Sequence, residues 1–388
     1  MEGRAQEAGI TMILKIFHPK HWKKLLLGAL GMAMLVVAGV CLAVRFAPVL
    51  SEQSGRTAMT AAGFILSKGA AQALQGEDTE HMTPSEPPPV SATESAPPSQ
   101  PEAVSSFAPS SSPASSAPSQ VTWTGKAYPI QEVQITQGNV NWKNISVRNS
   151  NKNHTVDIEK ILSERPDVTI KKDGSPQVLL YHTHSSEAYL EQEMDTYYSD
   201  IPTRSQDESK NVMSVGDVIA KKLEAAGIGV IHDKTYHDYP AYNGSYTRSA
   251  ETIRKNLEKY PSIQVTIDIH RDAISGTNGE RKKPTAVVNG KKAAQVMILS
   301  GCDDDGTLGY PDWEQNLRLS MRLQQACEKY ENNFVRPLTF SPTKYNQNLT
   351  HGSILVEFGT EVNTLAEAQY SGELFGDALV EVLNSLAE

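Results

Sequence analysis

Three short polar clusters, each behind or inside an apolar run, carry residue types that hold metals and move protons. Behind VLLY (178–181) stand His182, Thr183, His184, Ser185, Ser186 and Glu187. Behind VTIDI (265–269) stand His270, Arg271 and Asp272, and within ILVEF (354–358) lies Glu357, followed by Gly359 and Thr360. Imidazoles and carboxylates are the nitrogen and oxygen donors of a catalytic zinc, which takes three from the protein and keeps one position open for water. His184 and Glu187, at HxxE spacing, can chelate one ion from a single turn, and His270 completes the set. Zinc brings the pKa of its water toward neutrality, and a nearby carboxylate then takes the proton. Glu357 is the candidate base, because an unpaired carboxylate in an apolar strand is costly.

Blander readings stand beside these. Asp268, Arg271 and Asp272 can form a plain ion-pair network, and His182 competes with His184 because alternate strand residues share a face. His182, Arg271 and His237 suit substrate contact or support of the ligands better than ligation; His232 and His351 are read the same way.

Such clusters need rigid supports. After the turn signal Lys172-Asp173-Gly174 the pattern alternates strands and helices. Strands are expected at 178–181, from 229, at 265–269, 295–299 and 354–358. Helices are expected at 212–226 (closed by Gly227), 250–259 (ahead of Pro261), 312–330 and 364–386. That alternation implies an α/β fold, a mostly parallel sheet sandwiched by helices, with ligands gathering beyond the C-terminal strand ends. Residues 173–388 are read as the catalytic domain and 121–172 as a small lead-in region.

The N-terminal third reads differently. Residues 25–44, LLLGALGMAMLVVAGVCLAV, have no charge and the length of a transmembrane helix. Lys15, Lys20, Lys23 and Lys24 precede it and only Arg45 follows closely, so 1–24 is expected in the cytoplasm and the rest outside. An export signal is the alternative. Residues 45–120 form a juxtamembrane segment and a Pro/Ser-rich stalk, with no Lys or Arg between Lys68 and Lys126. The net charge of −9 argues against a nucleic-acid partner. Cys41, Cys302 and Cys327 form no CxxC, so neither a thiolate zinc site nor a redox motif is expected.

Several ordered motifs carry a family likeness: YHTHSSEAY (181–189), NVMSVGDVIAKKL (211–223), DKTYHDYPAYNGSYTRS (233–249), DIHRDA (268–273), YNQ (345–347) and ILVEFGTEVNTLAEA (354–368). Together they make residues 125–388 resemble the stage II sporulation protein P family, itself similar in fold to zinc-dependent N-acetylmuramoyl-L-alanine amidases. The resemblance implies Zn²⁺, a peptidoglycan substrate, cleavage of the muramoyl–L-alanine amide and also of peptide cross-links. It implies work during engulfment from the mother-cell septal or engulfing membrane, beside a lytic transglycosylase and a multipass membrane protein. Within it His184 and His270 match the histidine ligands and Glu357 the catalytic glutamate. Amidases of this kind take a glutamate ligand from the start of the first long helix, where this chain has Asn211 and Val212; Glu187 is read as its replacement. A zinc peptidase acting on stem peptides only, and a non-catalytic wall-binding scaffold, are the competing readings.

Overall fold

The computed structural model describes residues 122–388; the expected cytoplasmic tail, transmembrane helix and stalk lie outside them. Among the described residues no helix is long and apolar enough to cross a membrane. The chain begins with β1 (Ala127–Val133), β2 (Val140–Trp142), β3 (Ile145–Asn149), α1 (Ile158–Ser163), β4 (Pro176–Tyr181) and β5 (Thr196–Tyr198). It continues through α2 (Val212–Ala225), β6 (Gly229–His232), α3 (Ser245–Lys259), β7 (Val265–Asp272), β8 (Arg281–Val288) and β9 (Lys291–Ala294). It ends with β10 (Val296–Gly301), α4 (Trp313–Cys327), β11 (Leu338–Ser341), β12 (Gly352–Thr360) and α5 (Leu365–Ser385).

The main sheet has eight strands in the order β2-β3-β11-β10-β12-β7-β4-β6. It is mixed, which corrects the expectation of a mostly parallel sheet. β12, β7, β4 and β6 run parallel, as do β3, β11 and β10, but β10 is antiparallel to β12 and β2 to β3. The reason is local. A parallel neighbour needs a crossover, and between β7 and β10 the chain has none. It makes the β8–β9 hairpin instead, turning at Asn289 and Gly290, both with positive φ, the Asn-Gly signature of a tight hairpin. That hairpin returns the chain downward into β10. It also belongs to a second sheet, ordered β5-β1-β8-β9, which pattern reading did not foresee. Residues 122–172 supply β1 to this sheet and β2 and β3 to the main one.

Side-chain alternation along the central strands decides what faces the site. Val178 and Leu180 of β4, Ile267 and Ile269 of β7, and Val356 and Phe358 of β12 enter the large core with Val215, Ile219 and Leu223 of α2 and Leu379 and Leu383 of α5. Leu179 and Tyr181 pack instead with Ile253 of α3. Asp268, His270 and Glu357 alternate with the large-core residues and so fall on the α3 side. α5 starts on a capping box, Thr364 with Glu367. Just before it, β12 shifts register between Glu357 and Thr360, where Gly359 has φ +64°. A Cβ there would meet Asn363 Oδ1 at 2.5 Å and Ala294 Cβ at 2.7 Å, so this bend requires glycine.

Candidate active site and metal centre

The turn that carries His184 is fixed by two carboxylates reaching in from elsewhere. Thr183 donates to Asp268 through its amide (2.8 Å) and its hydroxyl (2.6 Å). Ser186 donates to Asp238 through its hydroxyl (2.7 Å), and Arg204 pairs with the same carboxylate. Ser185 Oγ donates to the His182 carbonyl (2.7 Å) and the Glu187 amide to the His184 carbonyl (3.2 Å), so a hydroxyl side chain and the backbone close the turn together. Glu187 then leaves the turn, and its carbonyl accepts the Val212 amide (2.9 Å) at the start of α2.

On the next strand, His270 is 1 % exposed. Its Nε2 lies 2.9 Å from Asp268 Oδ1 and its Nδ1 3.5 Å from Glu187 Oε2. These are ion-pair distances without hydrogen-bond angles, and neither nitrogen has a hydrogen-bond partner. Glu187 Oε2 also accepts the Arg271 amide (3.0 Å). In strand register Glu357 stands directly beside His270. Its Oε2 is buried and without a partner. The sequence-expected residues Glu187, His270 and Glu357 thus meet at the C-terminal ends of β4, β7 and β12. The His184 ring stands edge-on to His270, centroids 5.2 Å apart.

Electrostatics divides these groups. Burial lowers His184 to about 3, so its imidazole is neutral, the ligand form. Burial pushes Glu187 up, but His270 and Arg271 hold it well below the usual carboxylate range. Burial likewise pulls His270 down, and Asp268 with Glu187 more than offsets it, so its pKa lies well above the ordinary value. Glu357 goes the other way: burial, then the charge of Asp272, push it well above a normal carboxyl. One carboxylate is kept charged and a neighbouring one is held toward its acid form, the separation an acid–base pair of sites needs.

Does this donor set fit a metal? Its chemistry does: two imidazoles and a carboxylate, with the Glu357 Oε2 buried and without a partner and the His270 nitrogens lacking a well-aligned hydrogen bond. The separations are wider than a bound ion's shell. Among the described residues, the groups of three whose ligand atoms lie within 4.8 Å of one another are His154–Cys302–Asp304 and Glu132–Glu193–Glu367. Since Glu187 and His270 are 3.5 Å apart, His184 is the member that stands off. Tyr242 stacks on it with its hydroxyl 3.1 Å from Nε2, and Ser245 Oγ lies 3.4 Å from Nδ1.

The remaining expected residues have other positions. His182 faces α2: it donates from Nδ1 to the Ile269 carbonyl (3.0 Å), and its Nε2 meets His232 Nε2 at 2.8 Å. Both rings are lowered by burial. Arg271 is buried and directs its guanidinium to the carbonyls of Ala188 (2.9 Å) and Thr203 (2.6 Å), which makes it a strut. His237 is buried between the His182 carbonyl and Thr252. Asn211 acts as N-cap of α2, its side chain accepting the Met213 amide (2.9 Å). His351 borders a hollow of about 350 Å³ with Asp167 and Asp312 at the far pole of the sheet, away from the clustered residues. Sequence reasoning missed Tyr242, Ser245 and Arg204, whose guanidinium lies 4.7 Å over the Tyr242 ring. The first two lie within the 233–249 motif, so their place was visible although their role was not. It also missed Arg336, buried and paired with Asp272 at 2.9 Å.

Comparison with known proteins bears on this arrangement. Stage II sporulation protein P of Bacillus subtilis (strain 168) is 29% identical over 219 residues, 53% of this chain and 50% of the relative, so the chain spans about half the length of the curated relative it matches. Among solved structures, N-acetylmuramoyl-L-alanine amidase AmiC2 of Nostoc punctiforme is 10% identical, covering 55% of this chain and 98% of that one, with a TM-score of 0.33. The N-acetylmuramoyl-L-alanine amidase from Clostridium difficile 630 is 15% identical, covering 55% and 97%, with a TM-score of 0.32. The family pattern described as Stage II sporulation protein P matches residues 107–380, most of the sequence, and the chain belongs to that family.

Proposed function

We propose that this chain is a peptidoglycan hydrolase of sporulation that cleaves the amide between muramic acid and L-alanine. The observation that carries the reading is the juxtaposition on adjacent strands of His270, ion-paired to Asp268 and Glu187 but with no well-aligned hydrogen bond, and Glu357, whose buried Oε2 has no partner and whose carboxyl is pushed toward its acid form. A structural network would satisfy such groups; a hydrolytic site leaves them for a ligand and a water. His184, Glu187 and His270 would hold a zinc ion. When bound, zinc supplies a positive charge that acidifies a water and polarises a carbonyl. Asp268 and the Arg271 amide orient His270 and Glu187 toward that task. Glu357 takes a proton from the attacking water as its oxygen adds to the lactyl carbonyl. When the C–N bond breaks, Glu357 returns that proton to the departing L-alanine nitrogen.

Membrane anchoring through residues 25–44 and reach through the Pro/Ser tract complete the proposal. They would place the site outside the cell, at the mother-cell membrane that engulfs the forespore. A lytic transglycosylase and a multipass membrane protein are the expected companions there. The test is zinc per chain and release of soluble fragments from purified sacculi, measured together for wild type and His270→Ala. The variant is expected to lose zinc and turnover together. Full digestion by a zinc-free variant would overturn the metal role, and zinc-loaded wild type that leaves sacculi intact would make the chain a scaffold.

A further inference from the structure

A second group of ligating side chains lies at the opposite pole of the sheet. β10 runs antiparallel to β12, so the chain leaving β10 at Cys302 emerges at the end remote from Glu357. There a ligand nitrogen of His154, the sulfur of Cys302 and a carboxylate oxygen of Asp304 lie within 4.8 Å of one another. They come from two loops, β3–α1 and β10–α4. The other such group, Glu132–Glu193–Glu367, closes around Lys283 and Lys292, and each of its carboxylates is ion-paired already.

The surroundings of His154, Cys302 and Asp304 are those of held ligands. His154 donates from Nε2 to the Asp303 carbonyl (3.1 Å), which selects the tautomer whose Nδ1 lone pair is free. A ring N–H given to a backbone carbonyl is the usual support of a metal-binding imidazole. Trp313 packs on the ring, centroids 4.6 Å apart. Asp304 is oriented by the amides of Lys152 (3.1 Å) and Asn153 (2.9 Å). Asp303 accepts the amides of Leu308 and Tyr310, which shapes the loop that presents Cys302 and Asp304. Cys302 is fully buried and unpaired, and its thiol donates to Asn151 Oδ1 at 2.9 Å, so a further oxygen donor stands beside the sulfur.

We infer that His154, Cys302 and Asp304 form a second metal site, for a borderline-soft divalent ion of the zinc class. One thiolate, one imidazole and one carboxylate match that class and disfavour magnesium or calcium. The ion would tie the two loops together. Cys302 gives up its thiol proton when it binds the ion as a thiolate.

Cobalt titration of the full chain, stripped of metal in detergent, tests this separately from the hydrolytic site, which contains no cysteine. Two equivalents should bind, one of them with the near-ultraviolet absorption of sulfur-to-cobalt charge transfer. Cys302→Ala should abolish that band and remove one equivalent. His154→Gln, at a partly exposed position, should weaken the band-forming site ~10–100-fold and serves if the cysteine variant does not fold. His184→Ala should leave the band in place. Cobalt binding with no band would sink this site while leaving the proposed hydrolase intact. A band that survives Cys302→Ala would assign the thiolate to Cys41 or Cys327.

Discussion

Glu357 stands beside His270 with a buried oxygen that has no partner, and it can be altered without changing its size. Glu357→Gln keeps shape and polarity and removes the base. Turnover on sacculi should fall ~10²–10⁴-fold, the usual worth of a positioned acid–base group, with zinc content unchanged. Loss of zinc in this variant would make Glu357 a ligand. Stability supplies an independent reading in the metal-free protein. Because burial raises the folded-state pKa of Glu357 above a normal carboxyl, its contribution is fully present in acid. It is lost as pH rises from the ordinary carboxyl range through the raised value. Glu357→Gln should therefore flatten the pH dependence of Tm and stabilise the metal-free chain at neutral pH by about 1–3 kcal/mol, the cost of an unpaired buried polar group. An equal or lower Tm at neutral pH would mean that the carboxylate is satisfied.

At the scale of elements, the site depends on how one turn is tied to one strand. Asp268 accepts both the amide and the hydroxyl of Thr183, so Asp268→Ala leaves the amide without an acceptor and the hydroxyl with only Ser249 Oγ, at 2.8 Å. About 1–3 kcal/mol for each lost partner is expected, concentrated in this turn. Hydrogen exchange at the Thr183 amide should speed up far more than exchange in α5, and zinc affinity should drop with it. Uniform acceleration would show that Asp268 supports the whole fold. Much of this scaffold was legible in the sequence, since VLLY, VTIDI and ILVEF are apolar runs that become β4, β7 and β12, each with its polar residue in place. Which faces met was not legible. β4 turns His182 toward α2 and His232, and the stapled turn carries His184 to the other side, edge-on to His270. The second sheet stayed hidden because β1 is half-exposed and β8 begins with three successive cations, Arg281, Lys282 and Lys283, a composition more usual in exposed loops than in strands. Lys283 is in fact buried against Glu367 at 2.9 Å.

For the whole molecule, the proposed anchor would hold the folded domain at a distance from a membrane. Protease added to intact protoplasts should remove everything beyond about Pro48 and spare the N-terminal tail, with the first cuts expected in the Pro/Ser tract from its composition. Protection of the C-terminal domain would place it inside and remove peptidoglycan from its reach. Mass spectrometry of sacculi digested by the zinc-loaded chain, with Glu357→Gln as control, reads directly which bond is cut. The account predicts stem peptides with a newly freed L-alanine amino terminus and glycan strands with an unsubstituted muramoyl lactyl group, both absent from the control. Products in which every muramoyl–L-alanine amide is intact and only cross-links are cut would contradict it and make the enzyme a peptidase.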